Sequence, residues 1–143
     1  MTIWKKNYSL ADFKGMEKGN IHEVLGIELT EITAETISGK MPVDSRTKQP
    51  AGILHGGASI VLAESLGSIA SNLVIDTDKY LAVGQSVNAN HLRPATAGFV
   101  HGTAKAVHIG KKTQVWDIEV VNDAGKKVCA CRLTTAVIHK PQF

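Results

Sequence analysis

The sequence predicts an α+β fold in which an antiparallel sheet curls around one long central helix. Three observations carry that prediction. One stretch, from about His55 to Ile75, is apolar nearly all the way round and holds a single charge, Glu64. Two strand-like runs precede it and four follow it. No repeat, low-complexity segment or linker divides the 143 residues, so one domain spanning 1–143 is expected.

Leu10, Phe13 and Met16 stand at helical spacing and predict a short amphipathic helix over 9–18. Strand-like runs follow at Gly26–Ile32 and Thr36–Val43. In the second, Ile37, Gly39, Met41 and Val43 alternate with Thr36, Ser38 and Lys40. A polar loop, DSRTKQPAG, is broken by Pro50 and Gly52. In the long helix, Ile60, Val61, Leu62, Leu66, Ile69, Leu73 and Val74 point in nearly every direction, which predicts enclosure on most sides. Its many Ala, Ser and Gly residues admit close approach by other backbone. Four runs rich in Val, Ile and Thr then read as strands at about 80–92, 98–109, 113–122 and 127–139. Asn122–Asp123–Ala124–Gly125 supplies hairpin chemistry between the last two.

Hydrophobic residues at 43% and charged residues at 20% describe a folded globular chain. The formal net charge is +3 and the basic residues are scattered, which argues against a nucleic-acid binder. The first ten residues, MTIWKKNYSL, hold no apolar core of a signal peptide, so a cytoplasmic location is expected. The apolar stretch 57–75 is long enough to suggest a membrane span. However, Glu64 at its centre would be costly in lipid, and five Ser and Asn residues interrupt it, so no membrane association is expected. Cys129 and Cys131 share one face of a strand and read as reduced core residues.

The chemistry converges between Gln49 and Ser68. Gly56 and Gly57 at the helix start leave backbone N–H groups uncovered, and these donors with the helix dipole favour negative charge on a ligand. The bland alternative is that the glycines only permit a tight turn or close packing. Glu64, a carboxylate on an apolar helix, must be paired, protonated or functional. Ser68 lies one turn further on the same face. Gln49 and His55 on the approach loop could donate to a developing oxyanion. The remaining histidines show no metal-ligand spacing, and no metal or other cofactor is expected.

The run PVDSRTKQPAGILHGGASIVLAESLGS resembles the signature of hotdog-fold acyl-CoA thioesterases. The likeness continues through VNANHLRPATAG, HIGKKTQVWDIEV and CRLTTAVI, so it covers nearly the whole chain. The HGG followed seven residues on by Glu is similar to the branch that includes 1,4-dihydroxy-2-naphthoyl-CoA and 4-hydroxybenzoyl-CoA thioesterases. The resemblance implies a hotdog fold and hydrolysis of an acyl-CoA thioester with an aromatic or medium-chain acyl group, with Glu64 as nucleophile or general base. It implies that the Gly56 N–H, aided by Gln49 and His55, polarises the thioester carbonyl, with Ser68 near the acyl group or water. His91, Arg93, Gly110, Lys111 and Lys112 resemble contacts to the CoA nucleotide. It further implies a homotetramer, a dimer of dimers with the sites at the dimer interface. Two other readings stay open at this point: a hotdog dehydratase, and a non-catalytic acyl-CoA-binding protein.

Overall fold

The computed structural model describes residues 1–142 of the chain. A five-residue helix α1 (Ile21–Leu25) is followed by strands β1 (Glu28–Ile32) and β2 (Thr36–Pro42). The long helix α2 (Gly56–Leu73) comes next, and then β3 (Tyr80–His91), β4 (Phe99–Ile109), β5 (Thr113–Asn122) and β6 (Lys127–His139). The six strands form one sheet in the order β1-β2-β4-β5-β6-β3, with every neighbouring pair antiparallel. The expected α+β architecture, a sheet wrapped around one helix, is therefore the one observed. Among the described residues no helix is long and apolar enough to cross a membrane.

Helix and sheet approach each other closely where two sheet glycines stand side by side. Gly39 on β2 and Gly102 on β4 are register partners. A methyl at either position would come within 2.9 Å or 2.7 Å of a Leu66 side-chain carbon. Leu66 fills the trough the two glycines leave, and is fully buried with Leu62, Trp116, Ile118 and Leu133. Each such side chain removed from water contributes about 1.5–3 kcal/mol. The N-terminal residues strap the far end of this core. Lys5 N–H donates to the last helical carbonyl, Leu73, at 2.8 Å, and Trp4 stacks on Trp116 at 6.2 Å with 10° between the rings.

Two expectations near the N-terminus need correction. The helix over 9–18 is a single 3₁₀ turn at Leu10–Phe13, followed by turns in which Gly15 and Gly19 hold left-handed φ of 84° and 76°. The regular helix of this region is α1, which starts after an Asn20 cap and ends at Gly26 with φ 70°. The 26–32 strand correspondingly begins only at Glu28.

The two edges of the sheet differ. The 3₁₀ turn packs against β1. β3 runs for 12 residues along the other edge, with Val83 among its exposed positions. Within the described chain its edge is occupied near its start, where Tyr80 N–H donates to the Asp76 carbonyl at 2.9 Å and Ala82 meets a side chain. The Asn72 side chain accepts from the Ala82 N–H at 3.0 Å and donates to the Ala82 carbonyl at 3.0 Å.

Candidate active site

The loop before α2 folds back on itself to present the helix start. Gln49 N–H donates to the Ile53 carbonyl and Gly52 N–H to the Gln49 carbonyl, both at 2.9 Å, with Gly52 at φ 84°. His55 N–H then donates to the Thr47 carbonyl at 2.8 Å, which seats His55 as the helix cap. The His55 Nδ1 accepts from Gly57 N–H at 2.8 Å, and the His55 carbonyl accepts from Ala58 and Ser59 N–H. The Gly57 donor expected to be uncovered is therefore taken by the cap. Among the described residues the Gly56 N–H finds no acceptor, which leaves it as the orphan donor of this terminus.

Gly56 is there because an imidazole lies on it. A methyl at position 56 would stand 2.7 Å from His91 Nε2. His91 ends β3, and the chain turning after it brings Arg93, whose Nη1 donates to the Lys127 carbonyl at 3.1 Å. Gln49, Gly56, Ser59, His91 and Arg93 thus line one cavity of about 450 Å³. Gln49 Oε1 accepts from the Ala51 N–H, which turns the amide nitrogen out as a donor with no partner among the described residues. His55, with Nδ1 accepting, carries its neutral-form proton on Nε2, a second donor on the exposed side of the loop.

Glu64 stands elsewhere in the chain. It lies eight residues beyond Gly56 on α2, a rise of about 12 Å, and outside that cavity. It is half-buried and not enclosed as expected from the helix pattern, and no salt bridge among the described residues uses it. Its carboxylate rests on the backbone of β3 at Gly84, next to a register shift between Gly84 and Ser86. Ser68 follows one turn on and is half-buried too. Glu64, Ser68 and Asn72 follow one another at one-turn spacing, on the face of α2 along which the start of β3 runs.

Gly110, Lys111 and Lys112 form a third location, the β4–β5 turn, where Gly110 N–H donates to the Thr113 carbonyl at 3.0 Å. They line a cavity of about 830 Å³ with Lys5, Tyr80 and His139, near the C-terminal end of α2. One chain therefore gathers Gln49, Gly56, His91 and Arg93, and keeps Glu64 with Ser68 and the Lys111–Lys112 turn apart from them. Gly84, the seat of the Glu64 carboxylate, is not among the site residues the sequence predicts. No signal in the sequence marks it, because the contact is set by the sheet curling over the helix.

The described residues hold no group of three or more His, Cys, Asp or Glu side chains able to bind a metal ion. Cys129 and Cys131 are buried free thiols with their sulfurs 3.4 Å apart. Burial pushes the Cys131 thiol up to about 12, helped by its neighbour Cys129.

Comparison with known proteins gives a consistent result. The model of the thioesterase superfamily matches residues 51–129, which include the α2 start, Glu64, His91 and the β4–β5 turn. The 1,4-dihydroxy-2-naphthoyl-CoA hydrolase of Escherichia coli is 46% identical over 136 residues, covering 95% of this chain and 99% of that protein. The proofreading thioesterase EntH of Klebsiella pneumoniae is 42% identical, covering 94% and 98%. The crystal structure of a Q49A mutant thioesterase of Pseudomonas aeruginosa superposes with a TM-score of 0.95 at 47% identity, covering 97% of this chain and all of that one.

Proposed function

This chain belongs to the thioesterase superfamily and is a thioester hydrolase, and from that premise we propose that it cleaves an acyl-CoA through Gly56, Gln49 and Glu64. The observation that carries the reading is the unpartnered Gly56 N–H at the start of α2, in a cavity that also presents the free Gln49 amide. Hydrolysis of a thioester builds negative charge on the carbonyl oxygen. Donors fixed at a helix N-terminus receive that charge without reorganising. The Glu64 carboxylate then attacks the carbonyl carbon, giving an anhydride that water opens, or removes a proton from the water that attacks it. Either route adds one water and yields a carboxylic acid and the CoA thiol.

The separation within one chain favours a site completed by a second copy. Glu64 and Gly56 lie too far apart along a rigid helix to touch one carbonyl group. β3 offers a long edge whose backbone is open beyond Ala82, the means by which two sheets join. In a two-fold dimer, Glu64 of one copy meets Gln49, His55 and Gly56 of the other. The same arrangement brings the Lys111–Lys112 turn of one copy toward His91 and Arg93 of the other, where the CoA phosphates are held. A dimer of such dimers is the assembly the reading supports, in a cytoplasmic protein that handles small soluble thioesters.

Aromatic acyl groups are favoured, since the Escherichia coli relative is named for a naphthoyl-CoA. The test is free-thiol release across aromatic, β-keto and aliphatic acyl-CoAs, with the acid product identified. Release of CoA and acid in equal amounts, with no enoyl product, is the expected result. Binding that leaves every thioester intact, or formation of an enoyl ester, would overturn the reading in favour of an acyl-CoA-binding protein or a dehydratase.

A further inference from the structure

One turn before Ser68 on α2, a second polar group arrives from outside the helix. α1 brings His22 against Ser65, with His22 Nε2 3.0 Å from Ser65 Oγ. The other ring nitrogen, Nδ1, is the one buried side-chain nitrogen or oxygen without a partner among the described residues. Burial also holds the ring below its ordinary value of 6.5, against the opposing pull of Glu17, so the imidazole is neutral at neutral pH.

A neutral imidazole has one N–H, and its position is decided by these surroundings. A proton on Nδ1 would be a buried donor with nothing to accept it, the costlier kind of unsatisfied group. The proton therefore resides on Nε2, where Ser65 Oγ accepts it. That leaves the Ser65 hydroxyl proton to be donated elsewhere. A helical serine commonly returns it to the carbonyl four residues back. No such bond to Val61 exists among the described residues, and Ser65 Oγ has His22 as its sole partner there. The hydroxyl is thus a half-buried donor held in a fixed sense, next in sequence to Glu64 and one turn before Ser68.

We propose that Ser65, oriented as a donor by His22, is a specificity residue that recognises an oxygen on the acyl group, a ring hydroxyl or a keto oxygen. The inference rests on the thioesterase reading above and on the place beside the acyl group that the family resemblance implies for Ser68, a surface neighbour of Ser65 one turn on. His22 is a positioning residue: it touches Ser65 and not the substrate. A site built to hydrogen-bond a substrate oxygen rejects the analogue that lacks it, because its own donor is then left unpaired.

The experiment compares matched thioesters. Wild type, Ser65→Ala, His22→Phe and His22→Gln are assayed on 2-, 3- and 4-hydroxybenzoyl-CoA against benzoyl-CoA, and on acetoacetyl-CoA against butyryl-CoA. Ser65→Ala and His22→Phe should lower kcat/KM for an oxygenated member roughly tenfold while changing its deoxygenated partner little. His22→Gln, which keeps an N–H donor, should recover part of the preference. If both members of every pair fall together, or neither moves, the His22–Ser65 pair only ties α1 to α2 and the inference is wrong. Should His22→Phe fail to fold, Ser65→Ala decides alone, since it removes only the hydroxyl. A wild type that hydrolyses none of these esters removes the thioesterase reading, and this inference with it.

Discussion

The Glu64 carboxylate lies directly over Gly84: a methyl built on Gly84 would collide with Glu64 Oε1. Only a residue without a side chain leaves this space on β3, and the neighbouring register shift bends the strand there. Gly84→Ala should therefore displace the carboxylate and spare the fold, because the end of a glutamate side chain can swing aside. We expect kcat to fall roughly tenfold to a hundredfold, the penalty for a catalytic group misplaced by an ångström or so. KM and the thermal midpoint should hold. Turnover at the wild-type rate would show that Glu64 works from another rotamer.

Mixed dimers separate a shared site from a self-contained one. Glu64→Ala should lose roughly 10² to 10⁴ in kcat, and Gln49→Ala should be strongly impaired. In a dimer of one Glu64→Ala and one Gln49→Ala subunit, one site collects both lesions and the other collects neither. Random co-assembly makes half the dimers mixed, so roughly a quarter of wild-type activity should return. Mixed dimers purified through two different tags should show about half of it. If these are as slow as the parents, Glu64 acts beside Gln49 of its own chain.

The cavity at the β4–β5 turn should act on binding and leave chemistry alone. Lys111 and Lys112 flank it with Lys5, a cationic rim on an apolar floor of Val74, Ile109 and Val137. Lys111→Ala and Lys112→Ala should raise KM for the full CoA ester, most at low salt, with kcat little changed. A truncated pantetheine ester, which lacks the nucleotide phosphates, should be hydrolysed equally well by wild type and variants. An unmoved KM for the CoA ester would assign the pair to a solvated turn.

The thiols should be silent in the native protein. With burial holding Cys129 above its ordinary value and Cys131 up to about 12, both remain protonated at pH 8. The thiolate is the reactive form, so a water-soluble thiol reagent should modify neither residue until the chain is unfolded in guanidinium. Fast labelling without denaturant would contradict the packing of β6. Released CoA can thus be followed with the same class of reagent without interference from the enzyme.

Much of this architecture was legible because its signals are local. Alternation and β-branched content bounded β3 to β6 to within about a residue, and the lone charge in an apolar run marked α2 and Glu64 together. The N-terminal region was misread because Leu10, Phe13 and Met16 have helical spacing, whereas Gly15 and Gly19 take left-handed conformations that stop any helix. The five residues of α1 are too few to show a period, although Asn20 and Gly26 are the cap residues that could have revealed it. Within the site, Gly56 and Gln49 were legible from the helix start. The cap formed by His55 on Gly57 required a ring orientation that spacing alone does not give. The Gly84 seat and the His22–Ser65 bond depend on residues far apart in sequence, and no local pattern encodes them.

The stacked indoles of Trp4 and Trp116 have an optical consequence. They are the chain's two tryptophans, both buried, so its intrinsic emission comes from one dry, closely coupled pair. That light reports whether the first five residues are docked on the sheet. Peeling the N-terminus away would wet Trp4 and uncouple the pair even with all six strands in place. An emission-monitored denaturation curve therefore begins with the strap, and circular dichroism is the probe that follows the sheet beneath it.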